Sequence, residues 1–323
     1  MTDIKLILYK DNKAFDISAL AEKITWKGRK GSSARSLNVT LIDTYKSGCK
    51  PAPIDVTEGN YIVFFYRKKE LFRGIIMSQQ QSESLKMPIT AYDNGIYLAN
   101  NKDTFVYENK TVHDIFIDVC GRFELKYSDV ADTTYKIPEL TKSKTTAWDV
   151  LQDAMSQDFR ATGTRYFIHS EKGILRLVRR VDNPVQWVLE TGNNIISYTY
   201  KKSIEDIKTR LKIYTDEDTV YAVKKNEALE KKIGIFQEIE KKDDDLSQAK
   251  LTQQINETLT EISTPEISLD VEAVGIPDII SGSCVFSSIK PLGIRRTFYV
   301  DEDTHTFTGK SYTMTLKLNS INE

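Results

Sequence analysis

Short runs of apolar and β-branched residues, separated by turn residues, dominate both ends of the chain. In the closing segment 275–318, Gly-Ser and Pro-Leu-Gly turns separate apolar runs, and the last run, Tyr312–Leu318, alternates large and polar residues. Near the N-terminus, Arg35–Ile42 alternates in the same way, and Tyr61–Tyr66 is followed by a charged turn and a second apolar run. Such patterns are typical of consecutive antiparallel strands. They predict β structure over residues 1–98 and again over 186–323.

The period of the apolar positions changes between residues 99 and 185. Apolar residues follow Thr111 at helical spacing, and Asp114 completes a weak capping box with that threonine. Gly121 is predicted to end this helix. A second helix is predicted over 145–159, and two apolar runs on either side of a Glu-Lys-Gly turn predict a hairpin over 165–178. The middle of the chain is therefore predicted to be a small α/β module.

The two β regions share a spacing of aromatic, arginine and glycine positions that indicates an internal repeat. The paired positions are Trp26 and Tyr200, Arg35 and Arg210, Gly59 and Gly282, Phe72 and Phe298, and Ile89 and Met314. A helix over about 246–262, preceded by a charged connector over 224–245, is predicted as an insert in the second copy. The alternative is that any two small β-barrels share such a spacing.

These elements predict a β-rich α+β fold in which two β-barrel domains flank the small α/β module. The expected domains are 1–98, 99–185 and 186–323, the last with the inserted helix. A chain of 323 residues is long enough for two or three domains.

Composition narrows the range of functions. The chain has 45 basic and 46 acidic residues, and a dedicated nucleic-acid surface normally carries a basic excess, so we expect no specific nucleic-acid binding. No window approaches the ~18 consecutive apolar residues of a membrane span. Cys49, Cys120 and Cys284 are far apart and odd in number, which predicts buried thiols and synthesis in a reducing cytoplasm.

No catalytic motif stands in a context that would support it. The three histidines lie in different predicted elements. The strongest candidate cluster is Asp301, Asp303 and His305, which share one face of a predicted strand and could bind a metal. The alternative, a structural strand, is favoured because three ligands on one straight strand splay apart. We therefore expect no catalytic, cofactor-binding or metal-binding residues and no enzymatic activity.

Many short motifs along nearly the whole chain resemble those of the XkdQ/YqbQ-type phage tail proteins, the baseplate hub proteins of contractile tails. The matching motifs are Trp26-x-Gly28, Ala34-Arg35-x-Leu37, Leu71-Phe72-x-Gly74-x-Ile76, Ala91-Tyr92-Asp93, Tyr97-Leu98, Asp114-Ile115 with Cys120, Thr162-Gly163-x-x-Tyr166, Phe298-Tyr299-Val300-x-x-Asp303-Thr304-His305-Thr306-Phe307 and Met314-x-Leu316-x-Leu318. Lys27 departs from the expected serine, and Arg295-Arg296 stands where a glycine is expected.

The resemblance implies two tail-tube-like β-barrel domains and a structural hub, a homotrimer that joins a six-fold tail tube to a trimeric spike. Its implied partners are the tail tube protein, a separate spike protein, neighbouring baseplate wedge and LysM-type tail proteins, and a tape measure protein in the channel. The chain ends about five residues after the last predicted strand, so the spike is expected on another chain. The implied location is the baseplate of a virion or a tailocin (a headless, phage-tail-like bacteriocin), after assembly in the bacterial host cytoplasm.

The same resemblance gives a set of structural and assembly candidates. They are Trp26, Arg35, Leu37, Phe72, Gly74, Tyr92, Asp93, Phe298, Asp303, His305, Phe307 and Met314. One alternative function is a tail-associated cell-wall hydrolase or glycan-binding protein, which would need a pair of carboxylates at a fixed separation. Another is an assembly chaperone that is lost from the mature particle.

Overall fold

The computed structural model describes residues 3–43, 55–180, 184–214, 220–241 and 248–320. The chain divides into two compact units, one formed by 1–198 with 270–323 and the other by 199–269. The predicted boundaries at 98/99 and 185/186 stay a prediction. Cys49 lies outside the described residues, whereas Cys120 and Cys284 are buried free thiols, as predicted.

The N-terminal region is a series of antiparallel strands. Its strands are β1 (Ile4–Lys10), β2 (Lys13–Asp16), β3 (Ala21–Arg29), β4 (Ser36–Ile42), β5 (Tyr61–Tyr66), β6 (Lys69–Gln79) and β7 (Lys86–Tyr92). The predicted alternation in β4 is confirmed, because Leu37, Val39 and Leu41 are buried while the residues between them are half-buried. These side chains enter a core with Phe64 and Phe307. Full burial of one such side chain contributes about 1.5–3 kcal/mol.

The middle region mixes helices and strands. Its elements are α1 (Ile96–Asn100), β8 (Lys102–Lys110), α2 (Val112–Arg122), β9 (Ile137–Thr146), α3 (Ala147–Thr162), β10 (Tyr166–Glu171) and β11 (Ile174–Arg179). The two helices and the β10–β11 hairpin were predicted, whereas the antiparallel β8–β9 pair was not. The buried residues of this region, from Leu98 to Leu177, form a cluster of their own.

Local capping signals explain where the two longer helices begin. The Thr111 hydroxyl accepts from the backbone N–H of Asp114, whose carboxylate accepts in return from the Thr111 N–H, so the predicted capping box is confirmed. The predicted stop at Gly121 is wrong, since α2 continues to Arg122. Gly121 does not adopt the left-handed conformation that ends α3 at Gly163.

The C-terminal half contains the remaining elements. They are β12 (Pro184–Glu190), β13 (Ile195–Ser203), β14 (Arg210–Tyr214), β15 (Val220–Lys225), α4 (Glu227–Ile233), β16 (Gln237–Lys241), α5 (Gln248–Ile262), β17 (Glu266–Val274), β18 (Cys284–Ile289), β19 (Ile294–Thr308) and β20 (Ser311–Ser320). The predicted inserted helix is α5. The segment interpreted as a charged connector, 224–245, contains α4 and β16, which were not predicted.

The unit 199–269 has a small sheet of its own, with β14 between β15 and β16. Leu211 and Ile213 on β14 pack against Ile255 of α5. Alternate residues of β14 thus point towards the helix, as period two requires.

One strand order occurs twice in the large sheet. The sheet runs β13-β17-β20-β19-β3-β4-β7-β6-β5-β1-β2, and β18 pairs with β19 and β12 beside this path. The N-terminal strands are therefore ordered β3-β4-β7-β6-β5 and the C-terminal strands β13-β17-β20-β19-β18. In both sets the order by sequence is first, second, fifth, fourth, third. Among the described residues the pairing does not close either set into a barrel, so the two-barrel architecture is not established by the strand order.

The strand register gives the alignment of the two sets. Gln79 on β6 lies opposite Ile89, and His305 on β19 lies opposite Met314. Gln79 lies seven positions after Phe72 (79 − 72 = 7), and His305 lies seven positions after Phe298 (305 − 298 = 7). The equal spacing agrees with the predicted matches of Phe72 with Phe298 and of Ile89 with Met314. The predicted match of Arg35 with Arg210 is wrong, because the C-terminal counterpart of β4 in this order is β17, whereas Arg210 opens β14 in the unit 199–269.

The two strand sets join through β19. Its first part, Ile294–Tyr299, pairs with β18, and its later part, Glu302–Thr308, pairs with β3 of the N-terminal set. One long strand thus makes the N- and C-terminal regions a single sheet. None of the helices in the described ranges has the length and apolar character needed to cross a membrane.

Candidate functional site at the junction of the two strand sets

Four of the twelve predicted structural residues, Trp26, Arg35, Asp303 and His305, meet where β3 lies beside β19. In this register Trp26 is opposite His305 and Gly28 is opposite Asp303. Arg35, directly before β4, reaches across β3 to the same place. Trp26, Arg35, Asp303 and His305 are all buried. The site is therefore a polar cluster enclosed within the protein.

Arg35 and Asp303 form a two-point ion pair at the centre of the cluster. Arg35 Nη1 donates to Asp303 Oδ1 at 2.8 Å, and Nη2 donates to Oδ2. The guanidinium also lies over the Trp26 ring, 4.2 Å from its centroid. A planar guanidinium suits both contacts, because it matches a carboxylate with two parallel bonds and stacks on an aromatic face.

A glycine leaves the space that Arg35 occupies. A Cβ at Gly28 would lie 2.2 Å from Arg35 Nη1 and 2.8 Å from Ser281 Oγ. Ser281 accepts from Arg35 through its hydroxyl at 3.2 Å and donates its backbone N–H to Asp303. The Trp26-x-Gly28 motif therefore has a physical basis, since the tryptophan and the glycine form the seat for one arginine.

His305 continues the network on the other side of Asp303. Its Nε2 is 3.0 Å from the Ile279 carbonyl oxygen and 3.3 Å from Asp303 Oδ2, so this nitrogen carries the proton and donates. Its Nδ1 is 2.9 Å from the Tyr312 hydroxyl. Burial raises the pKa of Tyr312, so the hydroxyl stays protonated and can donate to Nδ1.

The charge state of the cluster follows from its geometry. Burial alone would raise the pKa of Asp303, but the charge of Arg35 and the bonds from Arg35 and His305 outweigh it and hold that pKa well below its usual 3.8. Asp303 is therefore a carboxylate with its counter-charge in contact. The carboxyl of Asp303 therefore stays ionised near neutral pH. Its physical effect is to fix β4, β19 and the 279–281 segment together.

A second arginine ties β19 to the segment after β11. Arg180 donates to Asp301 Oδ1 at 2.7 Å and to the Val300 carbonyl at 3.0 Å, and it lies over the Tyr299 ring. Asp301 and Asp303 therefore pair with different arginines, whereas the metal hypothesis required both aspartates and His305 to converge on one point. The structure brings Asp303 and His305 together and turns Asp301 to a separate partner.

The other predicted residues surround this cluster or lie in the core below it. Leu37, Phe72, Phe298, Phe307 and Met314 are buried, and Tyr92 is half-buried. Phe307 stacks on Tyr312 with 4.0 Å between centroids. None of these side chains is exposed, so their role as direct assembly contacts stays a prediction. Sequence reasoning missed Arg180 and Ser281 as partners, because they lie 121 and 22 positions from the aspartates they contact. It also missed Tyr312, which is seven positions from His305 on the paired strand β20.

Asp93 directly follows β7 and holds the start of the neighbouring strand β4. Its carboxylate accepts from the backbone N–H of Arg35 at 3.2 Å and from that of Gly95 at 2.9 Å. Burial raises the pKa of Asp93 to about 7, although both bonds and the charge of Arg35 act in the opposite direction. The folded protein therefore binds this proton more tightly than the unfolded chain, whose pKa is near 3.8.

Asp93→Asn should make the stability less dependent on pH above 5. In the wild-type protein Asp93 contributes stability that is complete below pH ~4 and is lost as the pH rises through about 7. The loss between pH ~5.5 and ~8 is about 2 kcal/mol. His169, whose pKa burial lowers to about 4, acts in the opposite direction below pH ~6.5 in both proteins.

Denaturant unfolding at several pH values checks this, because the difference between the two stability curves removes the His169 contribution. Parallel curves for wild type and Asp93→Asn would contradict it.

The fold of this chain is one that is found in phage tail proteins. The 43 kDa tail protein of prophage MuSo2 from Shewanella oneidensis superposes with a TM-score of 0.72 at 13% identity, over 98% of this chain and 97% of that one. The Escherichia coli c3393 protein, described as a component of the type VI secretion system with structural similarity to T4 tail proteins gp27 and gp5, superposes with a TM-score of 0.57 at 10% identity, over 94% of this chain and 74% of that one.

The family is more specific. The chain belongs to the YQBQ-like family, whose sequence model matches residues 24–319. It is 34% identical over 322 residues to the phage-like element PBSX protein XkdQ of Bacillus subtilis, covering 97% of this chain and 96% of that protein. The resemblance drawn from the short motifs is thereby confirmed.

Proposed function

We propose that this chain is a structural hub of a phage-tail or tailocin baseplate, in which three copies form a ring between the tail tube and a separate spike. The names of its relatives support a place in a tail, since XkdQ belongs to a phage-like element and the fold is shared with prophage tail proteins. The likeness to a protein described as similar to the T4 tail proteins gp27 and gp5 also supports a place in a tail-like assembly.

The repeated strand order is the observation that carries the proposal. A chain with two equivalent strand sets can present six equivalent surfaces when three copies assemble. Within the chain, the first strand of one set (β3) already pairs with the fourth strand of the other (β19). The same junction can form between copies, with β13 as the first strand and β6 as the fourth.

The free edges of the two strands fit this interface. β13 stands at one end of the strand order. On one edge, β6 pairs with β5 through Lys69–Ile75. On the same edge, the residues of β6 after Ile75 have no strand partner in the described ranges. Met77 there is 48% exposed. A heterologous interface of this kind closes into a ring when the rotation between copies is a simple fraction of a turn.

The register of the chain's own junction predicts which residues meet. Thr304 is opposite Lys27 in the β19–β3 pair. By the alignment of β6 with β19, the residue corresponding to Thr304 is Ser78. The predicted match of Trp26 with Tyr200 makes Lys201 on β13 the residue corresponding to Lys27. The side chains of Ser78 and Lys201 are both exposed in the single chain.

Cysteines at Ser78 and Lys201 in one chain should form disulfides between copies under mild oxidation, giving dimers and trimers on a non-reducing gel. Directly opposite residues of antiparallel strands bring their Cβ atoms within about 4.5–5.5 Å, close to disulfide geometry. The matched control is Ser78→Cys with Lys202→Cys, in which the second cysteine points to the other face of the strand.

Equal cross-linking of the two pairs would contradict the proposed register. A protein that stays a monomer by native mass spectrometry, alone and when co-expressed with tail tube and spike proteins, would contradict the ring itself.

The partners implied by the resemblance complete the proposal. The ring would contact the tail tube on one side and the spike on the other, with wedge and LysM-type proteins around it and the tape measure protein in the channel. Its role is to hold these proteins together without catalysis. The near balance of 45 basic and 46 acidic residues supports a conduit that does not retain nucleic acid.

A further inference from the structure

A cavity of about 800 Å³ lies beside the Arg35 cluster and has no role in the strand pairing. It is lined by residues from five parts of the chain: Trp26 and Arg35, 69–71 of β6, 169–172 of the β10–β11 hairpin, 185–187 of β12, and Pro277, Asp278 and Ile280. A volume of this size is within the range of about 300–1,000 Å³ that is typical of ligand-binding sites. All of these residues belong to the unit formed by 1–198 and 270–323.

An irregularity in β12 shapes one wall of this cavity. The register of β12 on β18 moves from Pro184 opposite Cys284 to Val188 opposite Phe286, so two extra residues are accommodated in β12. Bulges of this kind redirect side chains and are frequent beside functional sites. Here the bulge includes Trp187, which is 47% exposed although its indole N–H donates to Asp278 at 3.1 Å.

The polar atoms around the cavity favour an occupant that accepts hydrogen bonds. Trp26 Nε1, Arg35 Nε and Ser170 Oγ are buried without a hydrogen-bond partner among the residues described. Tryptophan and arginine can only donate, and serine has one hydrogen to donate. Buried donors left unpaired are costly, so an acceptor placed among them gains the bonds that the chain does not supply.

The charges around the cavity favour an anion. Lys69 pairs with Asp278, Glu70 with Arg73, and Glu171 with Arg176. Arg35 is paired with Asp303. Lys172 has no ion pair within the described part of the chain, and it lies in the β10–β11 turn that lines the cavity. His169 is neutral at pH 7, because burial lowers its pKa to about 4, so it contributes no charge to the cavity.

We propose that this cavity binds an acidic segment of a partner protein, with a carboxylate side chain between Lys172 and the Arg35–Trp26 floor and a neighbouring apolar side chain against Trp187. A carboxylate accepts through two oxygens and donates nothing, which matches the free donors. Leu71, Ile280 and the exposed face of Trp187 supply the apolar contact. The site does not depend on the ring, since every group that forms it belongs to one chain.

The tryptophans make the test direct. The chain has three, of which Trp26 and Trp187 line the cavity, whereas Trp148 donates to the Gly31 carbonyl and is not part of the lining. The protein labelled with 5-fluorotryptophan should give three ¹⁹F signals. Addition of the acetylated, amidated tripeptide Leu-Glu-Leu at millimolar concentration should shift the Trp26 and Trp187 signals in a saturable way and leave the Trp148 signal in place.

Two controls distinguish recognition of the carboxylate from nonspecific binding of the peptide. The tripeptide Leu-Gln-Leu has the same shape without the charge and should bind at least about fivefold more weakly, as should Leu-Glu-Leu to the Lys172→Gln protein. Lys68→Gln is the matched variant, since Lys68 is also an exposed hairpin-turn lysine with positive φ, outside the cavity lining. It should bind like wild type.

Several results would overturn the proposal. One is equal binding of the two tripeptides, another is an equal effect of Lys68→Gln and Lys172→Gln, and a third is the absence of any shift. A Trp187 signal that moves with protein concentration alone would assign the cavity to a second copy of this chain and not to a different protein. Equal shifts from acetate would show that the site accepts any small anion and has no preference for a peptide.

Discussion

Asp303→Asn should lower the free energy of unfolding by about 3–5 kcal/mol. The asparagine keeps the shape of the side chain but removes its charge, so Arg35 remains buried without a counter-charge. Removal of one partner of a buried ion pair is costly because the other charge loses its compensation and cannot recover its hydration. Urea or guanidinium unfolding followed by fluorescence measures this change directly.

The neighbouring residue provides the control. Glu302 lies beside Asp303 on the same strand but pairs with Lys317 at 3.9 Å, and both side chains are about half exposed. Glu302→Gln should therefore change stability by less than ~1 kcal/mol. The double variant Asp303→Leu with Arg35→Met should recover part of the loss, because it leaves no unpaired charge. A loss of stability for Asp303→Asn no larger than that for Glu302→Gln would contradict the proposed contribution of the Arg35–Asp303 pair to stability.

The dependence of stability on pH in the acid range provides a second measurement on Asp303→Asn. The pKa of Asp303 lies below its usual 3.8, so its contribution is present above pH ~4 and is lost as the pH falls further. Asp303→Asn should lack this loss, and its stability should depend less on pH in the acid range than that of the wild type.

Gly74→Ala should destabilise the protein by about 3 kcal/mol or prevent folding. A Cβ at this position would lie 2.1 Å from the backbone carbonyl oxygen of Tyr92 and 2.6 Å from the Phe72 ring. A carbonyl held in a sheet cannot turn aside as a flexible side chain can, so β6 and β7 would have to separate. Overpacking of a core typically costs about 1–3 kcal/mol, and backbone contact places this site at the upper end.

Gly121→Ala is the matched control for that glycine. Gly121 lies in α2, with nothing within 4 Å of an added Cβ and no positive φ. The same substitution should there stabilise the protein by about 0.5–1 kcal/mol, because alanine is the better helix former. Thermal unfolding of the two variants beside wild type compares them, and a Gly74→Ala protein as stable as wild type would show that β6 and β7 are less closely packed than the geometry implies.

The sequence predicted the elements where a local pattern carries the signal. The alternation of Leu37, Val39 and Leu41 predicted β4, and Thr111 with Asp114 predicted the start of α2. In each case neighbouring residues determine the structure through side-chain alternation or a local hydrogen bond. The resemblance to known hub proteins added Gly74, which local patterns alone would not have selected.

Long-range pairing could not be predicted from such patterns. Arg35 and Asp303 are 268 positions apart. No local sequence pattern in either segment identifies the other as its partner. The unpredicted β8–β9 pair is rich in charged and threonine residues on its open face, which weakened the apolar alternation. Arg210 was aligned with Arg35 because both open a strand, but strand order depends on hydrogen-bonding partners and not on the opening residue.

The pairing of β3 with β19 also has a consequence for synthesis on the ribosome. Trp26 and His305, which face each other, are 305 − 26 = 279 positions apart, so β3 lacks this neighbour until almost the whole chain has been translated. Bacterial translation at about 5–20 residues per second leaves that edge open for tens of seconds. An unpaired strand edge is a template for pairing with another chain, including a nascent copy on the same messenger. Correct assembly therefore depends on β19 of the same polypeptide reaching β3 before a neighbouring copy does.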